Sequence, residues 1–82
     1  MLRQSDGAEI DLVLARGNMP EIAIEVKRAS APTVQKGFAL ACDDLGIARR
    51  YVVYPGQEQF GLRHGAQAIG LSDLLQQLSA QA

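Results

Sequence analysis

Apolar and polar residues alternate along the first third of the chain, which is the pattern of half-buried β-strands. The stretch from Glu9 to Arg16 predicts one strand, and the stretch from Glu21 to Arg28 predicts a second that is rich in β-branched residues. The breakers Gly17-Asn18-Met19-Pro20 separate them. We therefore expect an antiparallel hairpin whose loop has about five residues.

The pattern then changes from a strand period to a helix period. Ser30-Ala31-Pro32 is expected to open a helix that runs to about Leu45 and ends at Gly46. Its predicted apolar stripe consists of Val34, Phe38, Ala41 or Cys42, and Leu45. Arg50 to Tyr54 predicts a short central strand. Because a strand, a helix and a strand form a crossover unit, this strand should pair parallel to the second.

The last third of the chain predicts weaker strands and a final helix. Phe60 to Arg63 and Ala66 to Leu71 are strand candidates, separated by a turn at His64-Gly65. Ser72 is expected to cap the last helix, whose predicted stripe is Leu71, Leu74, Leu75 and Leu78. The predicted fold is α/β: one domain over residues 1–82 with a small mixed sheet in the order β-β-α-β-(β)-α.

Strand alternation also predicts which side chains share a face of the hairpin. The large aliphatics fall on one face, and their joint burial would fix the register; they are Ile10, Leu12, Leu14, Ile22, Ile24 and Val26. The opposite face then gathers Asp11, Glu25 and Lys27, with Glu9 alongside. Asp11 would lie opposite Glu25 or Lys27, and such neighbours are about 4.5–5.5 Å apart at Cβ.

This set of side chains suits divalent-metal chemistry. Two adjacent carboxylates repel each other, and Lys27 offers part of the compensating charge. A bound Mg²⁺ would supply more, and it could polarise a phosphodiester and lower the pKa of a bound water. The ammonium group would then stabilise the charge that grows on the phosphate. The simpler alternative is an ion-pair ladder on a solvated sheet face.

Composition narrows the classes of function. Eight basic and nine acidic residues give a net charge of −1, so contact with nucleic acid would need a local site, a metal or other parts of a larger protein. The single cysteine, Cys42, excludes an internal disulfide and favours a cytoplasmic location. No apolar run reaches the roughly 18 residues of a membrane span, so no membrane association is expected. The abrupt start before the first strand suggests a fragment of a longer chain.

Two segments resemble a known superfamily. Residues 7–14 (GAEIDLVL) and 22–27 (IAIEVK) are similar to the PD-(D/E)xK restriction-endonuclease-like superfamily. Within it, the chain most resembles the uncharacterised C-terminal domain that follows AAA+ ATPase modules in prokaryotic proteins. Residues 51–56 (YVVYPG) and 68–75 (AIGLSDLL) share this likeness, which covers nearly the whole chain.

The resemblance implies roles for named residues. Asp11 and Glu25 would be ligands of Mg²⁺ or Mn²⁺, and Lys27 would be the catalytic lysine. Glu9 and Lys36 are auxiliary candidates, although a solvated strand residue and a solvent-facing helix lysine are the favoured interpretations of these two.

The resemblance also implies a function and partners. The chain would be the C-terminal nuclease-like domain of an ATPase, a Mg²⁺-dependent phosphodiesterase acting on DNA. The alternative is a catalytically inert module for nucleic-acid binding, protein interaction or oligomerisation. ATP would bind only in a module outside this chain, because no phosphate-binding glycine-rich loop is present. The implied fold is a restriction-endonuclease-like core that lacks its first helix, and the sheet face left uncovered favours a homo-oligomer.

Other reactive residues have simpler interpretations. His64 beside a glycine is expected to be a loop residue, and Cys42 a buried small hydrophobe. Arg49 and Arg50, with Arg28, could meet phosphates or solubilise the strand ends.

Overall fold

The computed structural model describes residues 10–80, which form one five-stranded sheet and two α-helices. The elements are β1 (Leu12–Arg16), β2 (Met19–Val26), α1 (Lys36–Leu45), β3 (Arg49–Val53), β4 (Phe60–Gly61), β5 (Ala66–Ile69) and α2 (Leu71–Ala80), with a short 3-10 turn at Arg63–Gly65. The predicted α/β class with a small mixed sheet is confirmed.

The strand order in the sheet is β1-β2-β3-β5-β4. β2, β3 and β5 are parallel to one another, whereas β1 pairs antiparallel with β2 and β4 pairs antiparallel with β5. The third strand is thus central and parallel to the second, as the strand-helix-strand pattern predicts. The three parallel strands end on the same side of the sheet, which we call the carboxyl edge. Because β1 runs antiparallel to β2, β1 begins at this carboxyl edge.

The β1–β2 hairpin is tighter than predicted. β1 ends at Arg16 and β2 begins at Met19, so the loop is Gly17-Asn18 rather than about five residues. Gly17 has φ +63°, which glycine adopts without steric cost. Pro20 lies inside β2, but the pairing of β2 with β3 begins only at Ile22, so the missing proline N–H interrupts no ladder there.

Each helix covers one face of the sheet. The α1 face buries Ile10, Ala23, Phe38, Cys42, Ile47, Val52 and Ala66. The α2 face buries Ile22, Ile24, Tyr51, Val53, Ile69 and Leu74, with Leu14 and Leu78 packed against them. Two separate apolar cores therefore hold the sheet between the helices.

The prediction that six aliphatics share one buried face is wrong for three of them. Ile10 is buried on the α1 face, because the chain bends at Asp11 and strand alternation starts only at Leu12. Leu12 and Val26 lie on the expected face, yet they are 49% and 60% exposed. Only Leu14, Ile22 and Ile24 pack into the α2-side core as predicted.

The helices also differ from prediction at their ends. α1 begins at Lys36 rather than near Ser30; Pro32 is buried, and the β-branched Thr33 and Val34 favour extended backbone there. α1 ends as predicted at Gly46, whose αL backbone is typical of a C-cap, but Leu45 is exposed.

In α2, the helix begins at Leu71, one residue before the predicted cap at Ser72, and Leu71 and Leu75 are exposed. Leu74 and Leu78 alone of the predicted stripe pack on the sheet. Neither helix within residues 10–80 has the length and apolar character that crossing a membrane requires.

The weaker strand candidates are real but short. β4 has two residues instead of the predicted four, and its neighbour β5 runs from Ala66 to Ile69. The predicted turn between them is confirmed, and His64 has a left-handed φ of 60° there.

Candidate functional site

Glu25 and Lys27 form an ion pair on β2 and the residues that follow it. The Nζ atom of Lys27 lies 3.2 Å from Oε2 of Glu25, and the side chains are 20% and 8% exposed. Both point toward α1, because Ala23, two residues earlier on the same strand, is buried on that face. The Lys27 amide donates to the carbonyl of Val53 at 2.7 Å, which fixes the residue to β3 although β2 has ended.

Asp11 lies across the hairpin from this pair. The ladder pairs Leu12 with Ile24, so the same register carried one residue further sets Asp11 opposite Glu25. Oδ2 of Asp11 accepts a hydrogen bond from the backbone N–H of Val26 at 2.8 Å. Successive N–H groups along a strand point to opposite neighbouring strands, so the N–H of Val26 faces β1 because that of Lys27 faces β3. The Asp11 carboxylate accepts from this N–H in place of the backbone carbonyl that a longer β1 would offer.

The three candidate residues therefore meet at one place in the fold. They lie at the edge where the parallel strands end, which is where open α/β sheets commonly bind ligands. Asp11 is exposed there, whereas Glu25 is only 6% exposed and lies between the sheet and α1. The carboxyl edge of the sheet thus carries the carboxylate oxygens of Asp11 and Glu25 and the ammonium group of Lys27, which Glu25 restrains.

Two cavities lie elsewhere in the fold. One of about 460 Å³ is lined by residues at the ends of β3 and β5 and at the start of α2: Tyr54, Pro55, Gly56, Gln57, Gly70, Leu71, Ser72 and Asp73. Another of about 580 Å³ is lined by Pro32, Thr33, Val34, Gly61, Leu62 and Arg63. Asp11, Glu25 and Lys27 line neither of them. The chemistry of the side chains, rather than concavity, singles out the hairpin as the candidate site.

The auxiliary candidates are less central. Glu9 lies outside the described residues. Lys36 is the first residue of α1 and is exposed, which agrees with the solvent-facing interpretation. His64 is an exposed turn residue, as predicted. Neither Lys36 nor His64 adds a further group to the cluster on the hairpin.

Cys42 is buried in the α1-side core, as predicted. Burial raises the pKa of its thiol, and the nearby carboxylates of Asp43 and Glu25 raise it further, while the Arg50 guanidinium acts in the opposite direction. The thiol is thus held protonated at neutral pH and is poorly suited to act as a nucleophile.

Arg50 has a structural role that the sequence pattern missed. Its guanidinium donates to the carbonyl of Ile47 at 2.8 Å, to that of His64 at 2.8 Å and to Oδ1 of Asp43 at 2.7 Å. The side chain therefore joins the end of α1, the start of β3 and the 3-10 turn, and it is committed to these contacts rather than to phosphate. No local sequence signal marks it, since its partners come from separate elements.

Comparisons with known proteins place the chain in a family. A family model described as "Domain of unknown function (DUF4143)" matches residues 1–74. The chain is 33% identical over 73 residues to an uncharacterised protein of Mycobacterium bovis and, to the same extent, to one of Mycobacterium tuberculosis. Each match covers 89% of this chain and 16% of the relative, so the chain spans about a sixth of the length of these proteins.

No solved structure matches the chain significantly. The family match covers most of the chain, including the hairpin, the central strands, all of α1 and the first residues of α2. The chain belongs to the family of domains of unknown function designated DUF4143.

Proposed function

We propose that this chain is a divalent-metal-dependent phosphodiesterase domain that acts on DNA. In this proposal Asp11 and Glu25 are the metal ligands and Lys27 is the catalytic lysine. The observation that supports it is the meeting of the Glu25–Lys27 ion pair with Asp11 across one hairpin, at the carboxyl edge of the parallel strands.

The donor set suits Mg²⁺ or Mn²⁺. Mg²⁺ prefers oxygen ligands and is commonly held by one or two carboxylates together with waters and substrate phosphate. Within residues 10–80 no group of three or more His, Cys, Asp or Glu side chains could hold a metal ion. A closed structural zinc site is therefore disfavoured, whereas a two-carboxylate site completed by water and phosphate remains consistent with the residues present.

The chain's own groups have defined parts in this chemistry. When bound, the metal would polarise the phosphodiester and lower the pKa of a coordinated water. Oδ2 of Asp11 is fixed by the Val26 amide, which orients the carboxylate before any ligand arrives. The ion pair with Glu25 restrains Lys27, and in this proposal the Lys27 ammonium group would stabilise the negative charge that develops on the phosphate.

The proposal extends to a larger protein. A net charge of −1 gives this domain little general attraction for DNA, so other parts of a longer chain would supply most of the affinity. We propose an ATPase module as that neighbour, on the resemblance noted above. The relatives, of which the chain covers 16%, have room for such a module.

A second candidate function is favoured by the same contacts. The Asp11–Val26 hydrogen bond closes the end of the hairpin, and the Glu25–Lys27 pair neutralises a buried carboxylate. Each of the three side chains thus has a structural role that needs no metal. A catalytically inert module for binding or oligomerisation would retain both interactions.

Nicking of supercoiled plasmid DNA in Mg²⁺ or Mn²⁺ separates the two candidates. The phosphodiesterase proposal expects nicking that falls at least about 100-fold in Lys27→Met and in Asp11→Asn. Asn at position 11 keeps an oxygen that can accept from the Val26 amide, so the fold is retained while the charge is lost. Arg16→Met, which removes an exposed cation at the opposite end of the hairpin, is the control and should nick normally.

Two results would reject the catalytic proposal. Nicking that survives in EDTA or in Asp11→Asn would assign the activity to a contaminant. Folded protein that does not nick under any metal condition, with Asp11→Asn and Lys27→Met differing from the parent only in stability, would instead favour the inert module.

A further inference from the structure

The α2 face of the sheet is only partly covered. The sheet has five strands, and α2 packs through Leu74 and Leu78 against buried residues of three of them, which are Ile22 and Ile24 on β2, Tyr51 and Val53 on β3, and Ile69 on β5. Among residues 10–80, the part of this face left exposed is the end at Leu12 on β1 and Val26 on β2.

The orientation of α2 shows what faces that open side. Gln77 donates to Oε1 of Gln59 at 2.8 Å, and Gln59 in turn contacts Gln67 on β5. Gln77 therefore faces the β4 edge. With about 100° per residue, Leu71 and Leu75 lie on the other flank of Leu74 and face β2 and β1.

Four exposed aliphatic side chains define this surface, which we call the apolar patch: Leu12, Val26, Leu71 and Leu75. They are 49%, 60%, 57% and 55% exposed. Leu12 and Val26 lie at the carboxyl edge of the sheet, and α2 begins at that same edge directly after β5. The helix flank and the sheet rim thus form one apolar surface at one level of the fold.

We propose that the apolar patch is the interface at which two copies of this chain associate as a symmetric dimer. A two-fold interface requires a surface that complements itself. The patch contains both an exposed helix flank, at Leu71 and Leu75, and an exposed end of the sheet, at Leu12 and Val26, so the flank of each copy can cover the sheet end of the other.

Area and charge favour a second copy as the occupant. Each copy offers about 300 Å² of exposed aliphatic surface, and at the usual apolar share of about 60% the dimer buries about 1,000 Å² in total. That is the lower limit for a specific interface, so the dimer should be a weak one. α2 carries one charged residue, Asp73, in ten, so two copies meet without strong repulsion and a highly charged partner would find no complement.

Sedimentation equilibrium of the 82-residue chain across the micromolar range tests this proposal. The parent should show a monomer–dimer equilibrium, and Leu75→Lys should raise the dissociation constant at least about 100-fold, because the substitution removes an apolar contact in both copies and adds two buried charges. Leu40→Lys is the matched control: Leu40 is 48% exposed on α1, on the opposite side of the sheet, and its substitution should leave the equilibrium unchanged.

Folding of each variant is checked by circular dichroism, and Leu71→Lys provides a second test at an independent exposed position. A parent chain that stays monomeric at the highest concentration would overturn the proposal and leave the patch to another part of a longer protein. A dimer that is insensitive to both α2 substitutions, or equally sensitive to Leu40→Lys, would also overturn it, because the interface would then lie elsewhere.

Discussion

The ion pair between the buried Glu25 and the partly buried Lys27 allows a quantitative test of how the candidate site is held. Glu25 and Lys27 are 3.2 Å apart at Oε2 and Nζ, with side chains 8% and 20% exposed. At an effective dielectric constant of about 20 the gross attraction is about 5 kcal/mol, but desolvation offsets much of it. We expect Lys27→Met to lower the free energy of unfolding by about 3 kcal/mol, since it removes the cation beside a carboxylate that remains buried.

Glu25→Gln should cost less, about 1.5 kcal/mol, because the partly exposed ammonium of Lys27 can turn to water. The double variant should lose about 2 kcal/mol, which gives a coupling energy between the two residues of about 2.5 kcal/mol. For a domain of this size, with a total stability of about 4–12 kcal/mol, each of these losses is measurable by urea denaturation.

The Arg16–Glu21 pair is the matched control for this cycle. Its closest atoms are 3.5 Å apart, and its side chains are 76% and 36% exposed, so its coupling should stay below about 0.5 kcal/mol. A coupling between Glu25 and Lys27 as small as that of the control would refute the reasoning. It would mean that the pair is solvated and that the carboxylate is not enclosed.

Three further predictions concern stability. Gly70→Ala would set its methyl carbon 2.6 Å from the carbonyl oxygen of Gly56 and should cost about 2 kcal/mol, whereas Gly61→Ala, which meets nothing within 4 Å, should unfold like the parent in urea. Arg50→Met removes three hydrogen bonds between separate elements and should lower the melting temperature by several degrees, by a loss of about 2–3 kcal/mol. Because burial raises the pKa of the Cys42 thiol above 9.0, the folded state binds this proton more tightly, so stability should fall as the pH rises beyond 9.0; Cys42→Ala should lack that slope.

The crossover unit and the inner part of the candidate site could be predicted from the sequence. The change from alternating to helical spacing between β2 and α1 fixed the parallel pairing of β3, because few topologies satisfy it. The spacing of Glu25 and Lys27 on one strand placed both on the same face. Both predictions rest on the spacing of residues within one element. They hold along β2, which is paired with β1 on one side and with β3 on the other.

The failures have physical causes that lie beyond one strand or helix. Alternation misplaced Ile10, because the bend at Asp11 turns the chain toward α1 before β1 begins. It also implied burial for Leu12 and Val26, although no element within residues 10–80 covers that end of the sheet. The helix start near Ser30 was wrong because the extended segment around Pro32 packs before α1 begins.

The contacts of Asp11 and Arg50 depend on tertiary structure. Asp11 meets the amide of Val26, 15 residues away, only once the hairpin has closed. Arg50 meets Asp43 and the His64 carbonyl, which lie on either side of it in the chain and in different elements. A pattern of polar and apolar residues contains no information on such pairs until the register is known.

Paramagnetic broadening by Mn²⁺ is the most direct test of the central claim that the hairpin edge binds a divalent cation. Substoichiometric Mn²⁺, titrated into isotope-labelled chain, should broaden the amide resonances of Asp11, Val26 and Lys27 first and leave that of Leu78 sharp, and Asp11→Asn should abolish the effect. Broadening that begins instead at other exposed carboxylates, or that is unchanged by Asp11→Asn, would contradict the account.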